Sequence, residues 1–317
     1  MNKNFTIVVL DEVHEILYHI FEQQHCRIID ASKMSVDEAM TSMYTAEIII
    51  IRSRFKIDKA IIDACKHLKI IGRVGSGLEN IDVQYAQSKN ITCINSPEGN
   101  KDAVAEHILG MILMLLNNLK RADAEVRSGI WDRKNNWGHE IGEKTFAIIG
   151  YGNNGAALAK KLSGFECNIL VYDKFKNNIT DKHVKQVDMQ TIFETADFVS
   201  LHVPLTSDTI YMADEKFFET FKKPIYFINA ARGKCVNTKD LAAYINTGKI
   251  RGACIDVIEY EGVTFEEMKH TKNESFKFLC DSNKVILSPH IAGWTYESYY
   301  KMSKVIAEKI MSVLPTI

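Results

Sequence analysis

Short runs of consecutive aliphatic residues recur along the chain and alternate with segments of helical periodicity. The most uniform run holds four isoleucines, at positions 48–51, between Glu47 and Arg52. A strand that is apolar on both sides must be covered on both faces, as in a parallel sheet that carries helices on each side. The sequence therefore predicts an α/β fold with doubly wound parallel sheets.

The strand-like runs fall into two series, which together with the length of 317 residues predicts two domains. The first series comprises residues 5–10, 47–52, 69–73 and 91–95. The second series comprises residues 145–150, 168–172, 198–202, 225–229, 253–257 and 285–287. Six strands are the number in a dinucleotide-binding sheet. Between the two series, residues 103–129 are predicted to form one long, largely apolar helix.

The composition argues against nucleic-acid and membrane partners. Lys and Arg number 39 against 40 Asp and Glu, whereas a nucleic-acid-binding protein normally shows a basic excess. The longest apolar run, 108–116, is about half of the ~20 residues that a membrane-spanning helix requires. The N-terminus shows no signal-peptide pattern, and the seven cysteines are scattered without a C-x-x-C motif. We therefore expect a cytoplasmic protein with reduced thiols and no metal site.

A glycine loop, Gly150-Tyr-Gly-Asn-Asn-Gly155, matches the pattern G-x-G-x-x-G. A predicted strand enters the loop, a helical segment leaves it, and Asp173 lies 21 residues after Gly152. This context is typical of a dinucleotide site, in which the pyrophosphate lies on the helix N-terminus and the acid accepts hydrogen bonds from the ribose. Asp173 would repel a 2′-phosphate and so favour NAD over NADP, although Lys174 and Lys176 could weaken that preference.

Three polar residues lie at or beyond the ends of strands in the second series: Arg232, Glu261 and His290. Because ligands bind beyond the carboxyl ends of such strands, the three could meet in one cleft. Oxidation of a hydroxy acid needs a base for the hydroxyl proton, which suits histidine, and a neighbouring carboxylate would orient the imidazole. A guanidinium would bind the substrate carboxylate and polarise the C2 oxygen. Taken singly, each residue also fits a structural role.

These motifs together identify the chain as a member of the D-isomer-specific 2-hydroxyacid dehydrogenase family, which it resembles over nearly all of its length. The stretches that carry the resemblance are 73–82, Asn100 with 104–107, the glycine loop, 202–206, 229–233, 256–261 and 288–293. The resemblance implies that Arg232, Glu261 and His290 are catalytic and that NAD is the cofactor. It also implies a homodimer formed mainly through the NAD domains.

The resemblance further implies two Rossmann-like or flavodoxin-like domains with the active site in the cleft. Residues 1–98 and 288–317 would form a discontinuous substrate-binding domain, and residues 99–287 the NAD-binding domain. The cofactor would contact Gly150, Gly152, Asn153, Asn154, Gly155, Asp173, Lys174, His202, Val203, Pro204, Thr209, Ala230, Ala231, Asp256 and Gly293. The substrate would contact Arg52, Ser53, Arg73, Ser76, Gly77, Asn100 and, from a neighbouring subunit, Arg133.

The sequence departs from the family pattern in three places. Asn154 stands where an aliphatic residue is usual, and Gly262 stands where a proline usually follows the glutamate. Residues 263–282 form a longer, charged insert before the last strand. The departures leave the catalytic groups in place, and the insert bears on the shape of the cleft edge.

The substrate is expected to be a small 2-hydroxy or 2-oxo acid. Arg52, Arg73 and Arg133 resemble the basic residues of 3-phosphoglycerate dehydrogenases, and three cations suit a doubly charged phosphate. The amides of Ser76 and Gly77 could form an anion nest for the substrate carboxylate. The same arginines also fit structural ion pairs or surface charges, which leaves glyoxylate and hydroxypyruvate as alternatives to an enzyme of serine biosynthesis.

Two other functions receive less support from the sequence. An NAD(H)-sensing, corepressor-like interaction protein would not need the three catalytic residues that this chain retains. Formate oxidation would be expected to show Gln rather than Glu261 beside the histidine.

Overall fold

A computed structural model of the chain describes residues 5–262 and 273–314. They form two compact units: a smaller one of residues 5–100, 262 and 294–314, and a larger one of residues 101–261 and 273–293. The boundaries expected from the sequence, 98/99 and 287/288, differ from these mainly in residues 288–293, which were expected in the smaller domain. This segment belongs to the larger unit because the buried carboxylate of Asp256 accepts hydrogen bonds from Ser288, Ile291 and Ala292.

The described residues contain twelve strands and twelve α-helices. The strands are β1 (Thr6–Val9), β2 (Arg27–Asp30), β3 (Ile48–Ile51), β4 (Ile70–Arg73), β5 (Thr92–Asn95), β6 (Thr145–Ile149), β7 (Asn168–Tyr172), β8 (Val184–Gln186), β9 (Phe198–Leu201), β10 (Ile225–Asn229), β11 (Ile250–Ile255) and β12 (Val285–Leu287). The helices are α1 (Ile16–Glu22), α2 (Val36–Met43), α3 (Lys59–Ala64), α4 (Val83–Ser88), α5 (Lys101–Leu116), α6 (Leu119–Arg127), α7 (Asn153–Leu162), α8 (Met189–Thr195), α9 (Glu215–Thr220), α10 (Thr238–Asn246), α11 (Glu274–Asp281) and α12 (Tyr296–Val313).

The smaller unit is built on a parallel sheet in the order β2-β1-β3-β4-β5, which is the flavodoxin-like order. Ile49 and Ile51 of β3 pack with Met43 of α2, while Ile48 and Ile50 pack on the other face with Ile306 of α12. The isoleucine run is therefore buried on both faces, as its uniformity predicts. The fifth strand, β2, was not predicted, because this edge strand is only partly buried and carries polar residues at both ends.

The larger unit is built on a parallel sheet in the order β12-β11-β10-β9-β6-β7-β8. All six strands expected from the sequence are present, and the predicted α/β class with two doubly wound sheets is confirmed. The seventh strand, β8, was missed because it is only three residues long and lies at the edge of the sheet. Strands β10, β11 and β12 are neighbours, so the segments that follow them emerge at the same edge.

The prediction of one long helix over residues 103–129 is wrong. Two helices, α5 and α6, meet at an angle of 61°. The break occurs at Asn118, whose φ of +52° is left-handed, a conformation that asparagine tolerates better than most residues. At this turn the largely buried α5 ends and α6 begins. Helix α6 faces solvent and buries none of its side chains. Among the described residues no single helix is long and apolar enough to cross a membrane, although the bent pair passes that test by length and composition.

Candidate active site

The glycine loop joins β6 to α7 and has three different steric environments. Gly150 has φ of +96°, and a Cβ there would lie 2.5 Å from the carbonyl oxygen of His202. A Cβ on Gly155 would lie 2.2 Å from the carbonyl oxygen of Gly150, so α7 packs directly on the strand end. A Cβ on Gly152, by contrast, would meet no atom within 4 Å. Open space at the start of a helix is what a phosphate group needs to approach the backbone.

A cavity of about 490 Å³ lies beside this loop and is bordered by Gly152 and Asn153. Lys101, Lys160 and Lys176 line it together with one acid, Asp102, so the excess of positive charge favours an anion. The side-chain oxygen of Asn154, at the position where the family usually has an aliphatic residue, is buried without a hydrogen-bond partner among the described residues. The cavity and the helix N-terminus together fit the pyrophosphate of a bound dinucleotide.

Asp173 follows β7 and holds the glycine loop in place. Its Oδ2 accepts the amide of Tyr151 at 2.7 Å, and its Oδ1 accepts the amides of Phe175 and Lys176 at 2.9 and 3.0 Å. Partial burial opposes ionisation, but the three amides outweigh it and hold the pKa of Asp173 below its usual range. The carboxylate is therefore charged and retains acceptor capacity for a ribose hydroxyl.

The two lysines that follow Asp173 are engaged elsewhere. Lys174 forms an ion pair with Asp208 at 2.5 Å, and the Lys176 ammonium donates to the carbonyl oxygen of Tyr151 at 2.7 Å. In these positions neither lysine neutralises Asp173 by a direct side-chain contact. The ionised Asp173 carboxylate is the feature of this site that disfavours a 2′-phosphate.

The loop after β9 contains His202, Val203, Pro204 and, further on, Thr209. Burial lowers the pKa of His202 to about 4, so the imidazole is neutral at physiological pH, and its Nε2 lies 2.8 Å from the Ser200 hydroxyl. The Thr209 hydroxyl donates to the carbonyl oxygen of Pro204 at 2.7 Å and accepts the amide of Thr206. Thr209 therefore fixes the turn at the cofactor loop.

Arg232 is held at the end of β10 by the residues around it. The Asn229 side chain accepts the amide of Ala231 at 3.1 Å and donates to the carbonyl oxygen of Arg232 at 3.0 Å. Arg232 Nη1 donates to the carbonyl oxygen of Ala231 at 2.6 Å. A Cβ on Gly233 would lie 2.1 Å from the carbonyl oxygen of Ile258, so the arginine loop packs directly on the chain that leads to Glu261.

Glu261 and His290 form a direct pair. Glu261 Oε2 lies 2.6 Å from His290 Nδ1, and its other oxygen accepts the amide of Ile258. His290 has φ of +56°, and its amide donates to the carbonyl oxygen of Asp256 at 2.7 Å. A left-handed histidine is strained backbone, which persists where the surroundings over-determine it. The hydrogen bond to Glu261 at Nδ1 fixes the orientation of the imidazole.

The loop that carries His290 is anchored by Asp256, which is 2% exposed. Asp256 accepts the Ser288 hydroxyl at 2.6 Å and the amides of Ile291 and Ala292 at 2.9 and 3.0 Å. Ser288 donates its hydroxyl proton to this carboxylate, so it accepts a hydrogen bond from His107 Nε2, which lies 2.9 Å away. Asp256 therefore supports the loop that carries His290.

Sequence reasoning gave no role to Ser288 or His107. Both residues belong to stretches that carry the family resemblance, 288–293 and 104–107, and that membership was the signal available for them. The arrangement His107–Ser288–Asp256 joins α5 to the segment after β12 and so fixes the position of His290.

The residues expected to bind substrate in the smaller unit lie beyond the neighbouring strands β3, β4 and β5. Arg73 Nε donates to the carbonyl oxygen of Arg52 at 3.3 Å. The Ser76 hydroxyl donates to the Asn100 side chain at 2.8 Å. In the described part of the chain, the amides of Ser76 and Gly77 have no protein acceptor, as an anion nest requires.

Arg133 and the insert complete the set of residues singled out from the sequence. Arg133 lies in the larger unit and is exposed, with no hydrogen bond or ion pair to another described residue. Half of the insert, residues 263–272, lies outside the described residues, and the other half contains α11. A role for Arg133 in another subunit therefore stays a prediction.

The chemistry of the larger unit follows from its neighbouring loops. Arg232 follows β10, Glu261 follows β11 and His290 follows β12. The amide of Asp256 donates to the carbonyl oxygen of Asn229, and the amide of His290 donates to the carbonyl oxygen of Asp256. The arrangement places a proton-exchanging imidazole–carboxylate pair and a guanidinium at one edge of a dinucleotide-binding sheet.

Comparison with known proteins adds independent findings. Residues 109–292 match the family model described as D-isomer specific 2-hydroxyacid dehydrogenase, NAD binding domain. A D-3-phosphoglycerate dehydrogenase of Archaeoglobus fulgidus is 33% identical over 97% of this chain, which spans 57% of that protein. A hydroxypyruvate reductase of Thermotoga maritima is 34% identical over 90% of each chain. The crystal structure of D-lactate dehydrogenase from Aquifex aeolicus, complexed with NAD and lactic acid, has a TM-score of 0.82 at 26% identity and covers 98% of this chain and 96% of its own.

Proposed function

Because the chain belongs to the D-isomer-specific 2-hydroxyacid dehydrogenase family, we propose that it is an NAD-dependent dehydrogenase that interconverts a small D-2-hydroxy acid and its 2-oxo acid. The observation that carries the proposal is the His290–Glu261 pair, 2.6 Å apart, on the unit that contains the glycine loop. The catalytic groups and the cofactor site would belong to the larger unit. The smaller unit would supply the groups that recognise the substrate.

Bound NAD would supply the hydride acceptor in oxidation and, as NADH, the hydride donor in reduction. His290 takes the hydroxyl proton through Nε2 as the C2–H bond gives up its two electrons and the C2–O bond becomes a carbonyl. Glu261 holds Nδ1 and offsets the positive charge that the imidazole acquires. Arg232 binds the substrate carboxylate and stabilises the negative charge that develops on the C2 oxygen.

Asp173 is expected to set the preference for NADH over NADPH. In Asp173→Asn the side chain loses its charge and one acceptor oxygen, so the KM for NADH should rise by about tenfold, as loss of one charge-assisted hydrogen bond implies. The KM for NADPH should stay constant or fall, because repulsion of the 2′-phosphate disappears. Steady-state kinetics with both cofactors measures the two values.

Asp181→Asn is the matched control for this experiment. Asp181 is exposed and also accepts backbone amides, from His183 and Val184, but it lies outside the glycine loop. An equal rise in KM for NADH and NADPH in Asp173→Asn would mean that the carboxylate only supports the loop.

Within the proposed reaction, 3-phosphoglycerate and phosphohydroxypyruvate are the preferred pair. Arg52 follows β3 and Arg73 is the last residue of β4, and the Arg73 side chain contacts the Arg52 backbone. Relatives about 33% identical are named D-3-phosphoglycerate dehydrogenases. Such an enzyme would serve serine biosynthesis. Hydroxypyruvate or glyoxylate is the alternative substrate, favoured by relatives named hydroxypyruvate reductase and glyoxylate reductase.

A substrate panel followed by NADH absorbance tests the proposal. It includes 3-phosphoglycerate with NAD, and phosphohydroxypyruvate, hydroxypyruvate, glyoxylate, pyruvate and 2-oxoglutarate with NADH. The phosphorylated pair should give the highest kcat/KM. If only unphosphorylated acids were turned over, the protein would still be a dehydrogenase, but the proposal of a phosphorylated substrate would be wrong. Tight NADH binding without turnover of any acid would favour the corepressor-like interaction protein.

The proposed protein is a cytoplasmic homodimer that associates through its NAD-binding unit. Large apolar side chains are exposed on α6 and the segment after it: Leu119 and Val126 are about half exposed, and Trp131 and Trp137 are 79% and 80% exposed. A second copy that covered this surface would remove it from water. A monomeric mass in sedimentation velocity would contradict the dimer.

A further inference from the structure

The guanidinium of Arg52 contacts two aromatic rings in the smaller unit. Its Cζ is 4.5 Å from the ring centroid of Trp294 and 5.4 Å from that of Tyr299. Trp294 begins the C-terminal part of this unit, and Tyr299 lies in the first turns of α12. A guanidinium can stack its planar faces on aromatic rings and still donate hydrogen bonds from its edge.

No described carboxylate lies within ion-pairing distance of Arg52. Asp11, in the segment after β1, accepts the backbone amides of Arg52, Ser53 and Arg54 at 2.7, 3.4 and 3.1 Å. The Arg52 side chain makes one long hydrogen bond, 3.5 Å, to the carbonyl oxygen of Glu12. Burial lowers the pKa of Arg52, against the opposing effect of Asp11.

Arg54, two residues away, has a structural role and can be compared with Arg52. Its guanidinium donates to the carbonyl oxygens of Leu10, Ala31 and Ser32 at 3.3, 2.9 and 3.0 Å, and also to that of Met34. All of these acceptors are neutral backbone groups that fix the side chain. Arg52 has one such acceptor, the carbonyl oxygen of Glu12 at 3.5 Å, and Asp11 holds the backbone of residues 52–54, so its guanidinium is positioned with little hydrogen bonding from the protein.

We propose that Trp294 and Tyr299 form an aromatic clamp that presents the Arg52 guanidinium edge to a second anionic group of the substrate, and that the enzyme therefore prefers 2-oxo acids with two anionic groups. This inference rests on the proposed dehydrogenase function and adds two specificity-determining residues to it. Trp294 is 63% exposed, and its ring lies against the Arg52 guanidinium. A phosphate and a distal carboxylate would both satisfy the same guanidinium edge.

The kinetic test compares phosphohydroxypyruvate and 2-oxoglutarate with glyoxylate, which has no second anion. Trp294→Ala should lower kcat/KM for the preferred dianionic acid by about tenfold, mainly through KM, as loss of a partly desolvated cation–π contact implies. The loss for glyoxylate should be much smaller. Trp294→Phe should retain most of the discrimination, because phenylalanine keeps an aromatic face.

Arg52→Lys tests the clamp itself, because lysine keeps the charge but has no planar face or donor fork. It should lose as much discrimination as Trp294→Ala. Tyr296→Ala is the matched control, since Tyr296 is 93% exposed, two residues from Trp294 in the same unit. Full selectivity in Arg52→Lys, or equal losses for all three acids in Trp294→Ala, would overturn the inference. The better dianionic acid identifies the second group as phosphate or carboxylate.

A binding measurement separates this inference from the proposed function. Inorganic phosphate added to the NADH-bound protein should change tryptophan fluorescence saturably, and the change should be absent in Trp294→Phe. If the wild-type protein reduces no oxo acid but shows this signal, the dehydrogenase proposal fails and the anion clamp stands. If it reduces glyoxylate as well as the dianionic acids and phosphate gives no Trp294-dependent signal, the dehydrogenase stands and the clamp fails.

Discussion

Replacement of His290 by asparagine is expected to lower kcat by about 10²–10⁴-fold, the range that a general acid–base residue contributes. Asparagine cannot exchange a proton near neutral pH, so the hydroxyl proton has no acceptor during oxidation and the C2 oxygen has no donor during reduction. Binding of NADH should change little, because the glycine loop and Asp173 lie elsewhere in the larger unit.

Asparagine is the informative replacement because of the backbone at position 290. The residue has φ of +56°, and asparagine adopts this left-handed conformation more readily than most residues. Its amide can still donate to the carbonyl oxygen of Asp256, as the His290 amide does at 2.7 Å. The anchored loop should therefore keep its shape, and the loss should report the imidazole alone.

NADH fluorescence titration and steady-state turnover, measured on the same preparations, check this expectation. His183→Asn is the control, since His183 is an exposed histidine of the same unit. A turnover close to that of the wild-type protein in His290→Asn would remove His290 from the mechanism. A weaker NADH affinity that accounted for the whole loss would give His290 a binding role instead.

The fold was largely predictable because its main strands are buried on both faces. Uniform runs such as residues 48–51 leave few alternatives to a covered parallel strand, and the glycine loop fixes the strand–turn–helix at its start. Edge strands β2 and β8 lack that signature because one side faces solvent. The bend at Asn118 was missed because apolar residues 108–116 suggest a continuing helix, whereas one left-handed asparagine ends it.

The sequence allowed the residues of the candidate site to be predicted, but not the contacts between them. Arg232, Glu261 and His290 follow strand ends that the sequence marks, so their common edge could be inferred. The Ser288–Asp256 hydrogen bond joins residues 32 positions apart, and the Arg52–Trp294 stack joins opposite ends of the chain. Such pairs depend on how the sheet brings distant segments together, which periodicity and spacing do not encode.

Arg232→Ala is expected to lower kcat/KM by about 10³-fold or more, through both a lower kcat and a higher KM. Removal of one donor that stabilises a developing oxyanion costs about 10²–10³ in kcat, and loss of the carboxylate contact weakens substrate binding further. The loop itself should persist, because Asn229 holds it through the backbone of Ala231 and Arg232. Affinity for NADH should stay within about twofold, since less than 0.5 kcal/mol is at stake for a residue outside the cofactor contacts.

Arg232→Lys separates charge from geometry in the same measurement. Lysine keeps the positive charge but lacks the planar fork that can contact a carboxylate and the C2 oxygen together, so it should recover only a small part of the lost kcat/KM. Arg251→Ala is the control, because Arg251 is an exposed arginine of β11 in the same unit. If Arg232→Lys recovered the full kcat/KM, the positive charge of Arg232 would matter and the geometry of its guanidinium would not.

The division of the Arg232 effect between kcat and KM decides what the residue does. A contact made equally in the ground state and the transition state raises KM and leaves kcat unchanged, whereas a contact that strengthens as charge develops lowers kcat. If Arg232→Ala changes KM alone, the guanidinium only binds the carboxylate, and stabilisation of the C2 oxygen must come from His290. If only the affinity for NADH falls, Arg232 supports the cofactor loop through its contact at Ala231, and the substrate role is wrong. A combined loss that lysine does not repair is the result that the geometry of Arg232 predicts.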